Sequence, residues 1–235
     1  MNRVIYFFLL ITLLGCDKKD CTCEQNPPTV LPTKKIKGYV NRIVMDSVNY
    51  INIDTTDWNY IAVVKTSTNG GKIYKNGNLV FSGNFQNVNY YYNRFDIGTE
   101  YYTSYAELFK GWIDEVRISN RERTLSEINS YYDSNMPFAS DTNTIGLWHF
   151  DDNAGTSIAA IKGPVGNAVN PKWDMGKFGK SIYYNGIDTR TSMNMMIPTS
   201  NITLEFWFKP NGLHNIQTIV SCYGLFTSSF KISSF

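Results

Sequence analysis

The run Ile202-Thr203-Leu204-Glu205-Phe206-Trp207-Phe208-Lys209-Pro210 alternates strictly, with Ile, Leu, Phe and Phe on one face and Thr, Glu, Trp and Lys on the other. A period of two is that of a strand with one side in a core, so a helix is excluded here. Pro210 ends the run because proline has no N–H for a continuing ladder. The same alternation recurs at Trp58 to Val64, and again where Lys72–Lys75 and Leu79–Phe81 flank Asn76-Gly77. Asn-Gly between alternating runs predicts a tight hairpin, since both residues tolerate positive φ. Aromatics at 15 %, with 16 Tyr and 14 Phe against 18 % charged residues, favour strands throughout. One short helix of a few turns is expected after Thr124, which can cap it; Glu127 can reach back to the cap, and Leu125 and Ile128 share a face. A chain of 235 residues holds one large sandwich or two small domains. The net charge of +2 is scattered over the sequence, which gives nucleic-acid binding little support.

Asn2 and Arg3 followed by the apolar Val4 to Leu14 have the layout of a signal peptide, too short for the roughly 20 apolar residues of a membrane span. Leu13-Leu14-Gly15-Cys16 resembles a bacterial lipobox. The resemblance implies cleavage of residues 1–15, a lipid on Cys16 and anchoring in the cell envelope, at the outer membrane. Residues 16–35, with Cys21, Cys23 and three prolines, read as a flexible tether. Cys21 and Cys23 are too close for an easy mutual disulfide, and a bridge from one of them to Cys222 leaves an odd thiol.

The stretch Gly111-Trp112-Ile113-Asp114-Glu115-Val116-Arg117-Ile118-Ser119-Asn120, closed by Thr124 to Ile128, resembles the end of a laminin-G-like (concanavalin A-like) jelly-roll domain, and Trp58 to Gly83 resembles the family's Trp-initiated strand and hairpin. Thr144 to Phe150 with Asp151, Asp152 and Gly155, then Gly176 to Ser181 and Tyr184 to Asp188, resemble the family's beginning. A tail-like half, 36–135, therefore precedes a head-like half, 144–235, with Asn129 to Asn143 reading as the linker. Two origins fit this order: one circularly permuted domain over 36–235, or the tail of one repeat joined to the truncated head of another. The resemblance implies an all-β, antiparallel two-sheet jelly-roll β-sandwich with Trp58, Trp112, Trp148 and Trp207 in its core.

The related glucanases carry Glu, Asp and Glu at every second position of a strand. Here Asp114 and Glu115 are adjacent, are expected on opposite faces, and meet Arg117 where another acid is needed. His149 and His214 are too few for a zinc cluster or an evident triad. The family resemblance implies a structural calcium, with Asp114, Asp151, Asp152 and Asp188 as the matching carboxylates, although aspartates also simply form turns. Tyr91, Tyr101, Tyr102 and Tyr105 are candidate ligand-binding residues, because flat aromatic faces suit stacking on sugars; half-buried strand surface is the other reading. The expectation is a non-catalytic, lipid-anchored envelope protein whose module binds carbohydrate or protein, in adhesion or glycan capture. A structural or truncated fragment of a larger repeat adhesin is the alternative, and a glycoside hydrolase a remote one.

Overall fold

A computed structural model describes residues 35–36, 51–68, 70–84, 93–99, 107–198, 201–212, 216–222 and 228–233. All fall within a unit spanning Thr33–Phe235. Cys16, residues 17–34 of the tether, His214 and the tyrosines Tyr91, Tyr101, Tyr102 and Tyr105 lie outside the described residues.

With strands numbered β1 to β16 in chain order, one sheet runs β11 (Lys172–Met175), β12 (Lys180–Asn185), β7 (Lys110–Ser119), β14 (Ile202–Pro210), β3 (Asn59–Lys65), β4 (Gly70–Lys75), β5 (Asn78–Asn84). Strand β8 (Thr144–Trp148) joins it by pairing with the last part of β7, while β12 pairs with the first part. The second sheet runs β16 (Ser228–Ser233), β15 (Ile216–Cys222), β6 (Phe95–Ile97), β13 (Arg190–Met193), β10 (Gly166–Val169), β9 (Ser157–Ile158). A separate pair joins β1 (Lys35–Ile36) to β2 (Ile51–Asn52), and β1 lies beside β16. The strand pairings within both sheets are antiparallel. The protein is an all-β sandwich of two antiparallel sheets.

Strands from before and after the Asn129 to Asn143 segment share both sheets. In the large sheet β14 sits between β7 and β3, paired to each over most of its length. In the other, β6 lies between β13 and β15. The apolar face of β14 supplies Phe206 and Phe208 to a core between the sheets, with Ile113, Val116, Ile118, Trp148, Ile182 and Tyr184 from the same sheet and Phe95, Ile97, Met193 and Val220 from the other. Burying such a side chain is worth roughly 1.5–3 kcal/mol, so this layer is the main source of stability.

The hairpin forms as its sequence predicts. Asn76 and Gly77 take φ of 48° and 77°, so a two-residue turn links β4 to β5. The predicted helix is α1 (Leu125–Ser134), with Thr124 and Glu127 forming the reciprocal capping box and Asn135 ending it in the left-handed region. Its inward face differs from the expected one. Ile128 is buried, but Leu125 stays 46 % exposed, because the helix rests on the sheet through Ile128, Tyr131 and Tyr132 instead.

The Asn129 to Asn143 stretch is more than a linker. Its first part belongs to α1, and its next part carries Phe138, which packs with Tyr60, Ala62, Val64, Tyr74, Leu147 and Trp207 in a second core on the outer face of the large sheet. The sandwich therefore has two apolar layers: one between the sheets and one beneath the helix. Of the four tryptophans assigned to one core, Trp148 joins the first layer, Trp207 the second and Trp58 its margin. Trp112 belongs to neither.

Candidate functional site

Trp112 is displaced from the core by parity. Ile113 is fully buried between the sheets, so its neighbour on β7 must point outward. The helix covers only one end of that outer face, and Trp112 lies on the open end, half-buried. Sheet register lines it up with other residues across four strands: Lys172 on β11 opposes Tyr183 on β12, Tyr183 opposes Trp112, and Trp112 opposes Lys209 on β14. Directly opposed residues point to the same face, so the four form a transverse row.

The two aromatic rings lie 4.9 Å apart at 53° to each other. Lys172 Nζ is 5.4 Å from the centroid of Tyr183, and Lys209 Nζ 5.7 Å from that of Trp112. The indole N–H of Trp112 donates to Asp174 Oδ2 at 3.0 Å, and Asn211 Nδ2 donates to the Tyr183 hydroxyl at 3.1 Å. Trp112 and then the Met175 amide hold the Asp174 carboxyl below the usual carboxylate range. Trp173, between Lys172 and Asp174, packs against the inter-sheet core, which confirms the outward direction of its neighbours. The result is a half-exposed aromatic floor whose ring planes are fixed by hydrogen bonds and whose ends carry cations.

Beside this floor the outer face becomes buried and acidic. Strand β7 bulges: Trp207 pairs with Asp114 and Glu205 with Arg117, so two residues of β7 oppose Phe206 alone. Glu115 absorbs the extra residue at φ 53°. The bulge resets the alternation and places Asp114 and Glu115 on the same outer face, contrary to the opposite faces expected from a regular strand. Glu115 Oε2 accepts from the Phe138 N–H at 2.7 Å, and Oε1 lies 2.6 Å from His149 Nδ1. That hydrogen bond holds the His149 imidazole above its ordinary range. Asp114 Oδ2 accepts from the Phe178 N–H at 3.0 Å, and Oδ1 is buried with no partner. Burial above all, with the nearby Glu115 and Asp151 carboxylates, pushes Asp114 up to about 9 against the pull of the Phe178 amide. Asp151 Oδ1 accepts from the Lys180 N–H at 2.6 Å. A Cβ on Gly179 would come within 2.3 Å of the same oxygen, so the turn can close over Asp151 only with glycine there.

Further along the same face, Glu205 is the centre of a buried network. Arg117 grips it in bidentate fashion, Nε to Oε2 and Nη2 to Oε1, each at 2.8 Å, and the Tyr60 hydroxyl donates to Oε1 at 2.7 Å. Arg123 Nε stands 3.1 Å from Oε2 and also reaches Asp141. The Arg117 guanidinium is stacked 3.8 Å from the Tyr131 centroid and 4.5 Å from that of Phe138, and Nη1 donates to the Ala139 carbonyl at 3.0 Å. Helix and following segment are thus clamped to the sheet by buried ions as well as by apolar contact.

The four carboxylates expected to share a calcium ion do not assemble. Asp114 and Asp151 are neighbours, but Asp152 Oδ1 accepts from the Ala159 N–H at 3.0 Å. Asp188 accepts from Asn185 and Asn170 at 2.6 Å each, fastening the turn after β12. Among the described residues, no group of three or more His, Cys, Asp and Glu side chains is placed to hold a metal ion. Asp114 and Asp151 are two adjoining carboxylates where calcium takes six to eight oxygens, so this set does not fit the ion.

Residues 40–129, from before β3 into α1, match the laminin-G family described as the concanavalin A-like lectin/glucanases superfamily. Over those residues the chain resembles a laminin-G-like domain. Neither the curated proteins nor the solved structures contain a match to the chain. At the level of the family, a laminin-G-like sandwich is a carbohydrate- or protein-binding module. The superfamily holds lectins and glucanases on one scaffold, so function rests on the site.

Proposed function

We propose that this laminin-G-like module is a non-catalytic carbohydrate-binding domain, that sugars stack on the Trp112–Tyr183 floor, and that a lipid on Cys16 holds the protein in the bacterial cell envelope. The observation that carries the binding reading is the in-register row Lys172–Tyr183–Trp112–Lys209 on the open part of the outer face. Tyr and Trp present an apolar plane and a polar edge, which matches the C–H faces and hydroxyls of a sugar ring. The non-catalytic reading is supported by the state of the acids: Asp114 and Glu115 are both 0 % exposed, closed off by Phe178, Phe138 and His149. A single sandwich made from permuted halves is supported by the position of β14 between β7 and β3, since residues 36–135 alone would lack that central strand and residues 144–235 alone would lack its two neighbours.

An oligosaccharide array probed with the purified chain, with calcium and with a chelator, tests the binding reading. The expected result is binding in both conditions, weakened about tenfold or more by Trp112→Ala, the loss of a central aromatic anchor. Array signals that survive Trp112→Ala unchanged would move the site elsewhere. For the anchor, the chain made in a bacterial host should partition into a detergent phase, and Cys16→Ala should send it to the aqueous phase. Equal partitioning of the two proteins contradicts lipidation.

A further inference from the structure

We infer that the saccharide bound on the Trp112–Tyr183 floor is acidic, a chain of uronic acid units lying across the strands with its carboxylates received by Lys172 and Lys209. The inference rests on the reading of that floor as a sugar-binding surface. What it adds comes from charge and direction. The row runs perpendicular to the strands, and its two outermost residues are three strand spacings apart, about 14 Å between backbones. That span has lysines at its ends and aromatic rings between them, so a ligand long enough to cover both rings brings its ends to the cations.

The charges on the row itself favour an anion: Lys172 and Lys209 stand over its two rings, and Asp174 is the carboxylate bonded to it. That carboxylate is engaged by the indole of Trp112 and serves to position the ring. Lys172 is exposed and Lys209 partly so. A lysine over an exposed ring is held weakly, so either side chain can lift from its ring to meet a bound anion at small cost. A uronate carboxylate is attached directly to the pyranose carbon frame and projects from the rim of the ring. With the ring face on an aromatic side chain, the carboxylate is directed sideways, toward the flanking lysines.

The test compares oligogalacturonate with its methyl ester, dextran sulfate and dextran, by calorimetric titration of the natural chain and of a Lys172→Gln/Lys209→Gln variant. The expected result is about tenfold tighter binding of oligogalacturonate than of its ester, a preference that weakens as salt shortens the screening length and is removed in the double variant. Circular dichroism establishes that the variant is folded, and the salt dependence of the natural chain gives a second measure that needs no variant. Equal binding of acid and ester overturns the acidic preference while leaving the sugar-binding floor in place. Selectivity that survives in the double variant, or a preference for dextran sulfate over oligogalacturonate, also overturns it. Failure of all four saccharides to bind removes the floor's sugar-binding reading along with it.

Discussion

Replacing Glu205 by Ala should destabilise the protein by about 3–5 kcal/mol, the cost of stranding a buried charge. Glu205, Arg117 and Tyr60 are all 0 % exposed, and the carboxylate is the anion against which Arg117 is bidentate. Its removal leaves a guanidinium without its counter-ion and a Tyr60 hydroxyl without its acceptor. Against the roughly 5–15 kcal/mol of a typical domain, such a loss is a large share of the total. Urea unfolding followed by tryptophan fluorescence measures it, and Glu205→Gln, which keeps an acceptor, should fall between the two. A double change of Arg117→Met and Glu205→Leu should recover much of the loss, because a buried ion pair replaced by apolar side chains is often close to neutral. A Glu205→Ala protein within about 1 kcal/mol of the natural one would mean that water reaches Arg117.

The second large effect depends on pH. From pH 5 to pH 9 the stability of Asp114→Asn should rise steadily relative to that of the natural protein. In the unfolded chain Asp114 ionises near 3.8, whereas in the fold burial and its acidic neighbours hold it protonated up to about 9. Between those values the native state binds the extra proton, so natural stability falls as pH rises, by at most about 1.4 kcal/mol per pH unit. Asparagine does not titrate, so this slope disappears in the variant. Its buried Nδ2 adds a pH-independent cost of about 1–3 kcal/mol, which shifts the difference without tilting it. His149, raised by Glu115, contributes stability that is present at low pH and lost as pH climbs through its folded value; this term is common to both proteins and largely cancels. Urea midpoints at pH 5, 7 and 9 give the difference curve. Parallel profiles would show that Asp114 is already ionised at pH 5.

The elements that could be read in the sequence are those whose signals are local. Asn76-Gly77, the Thr124/Glu127 box and the alternation of Ile202 to Pro210 each lie within a few residues and each forms as expected. The orientation of Trp112 was also legible, since Ile113 faces the core and parity alone turns Trp112 outward. The family pattern alone points to a core position for it. The bulge could not be read. Glutamate carries no mark of a positive φ, and a bulge is fixed by how Asp114 and Arg117 pair with a strand some ninety residues away in sequence. The same distance hid Arg117–Glu205, two residues 88 positions apart that meet only once β7 and β14 are in register. Asp188, a candidate metal ligand by family resemblance, accepts from Asn185 and Asn170 and fastens the turn after β12.

The central claim, that ligand sits on the Trp112–Tyr183 floor, is tested most directly by following the indole N–H resonances while an oligosaccharide selected on the array is added. Trp112 is half-buried with its N–H on Asp174, whereas Trp207 is 2 % exposed and Trp148 donates to the Pro164 carbonyl inside the fold. Loss of one peak in Trp112→Phe assigns the signal. Saturable movement of the Trp112 resonance, with those of Trp148 and Trp207 fixed, is the predicted result. Saturation of binding with the Trp112 resonance unmoved would contradict it.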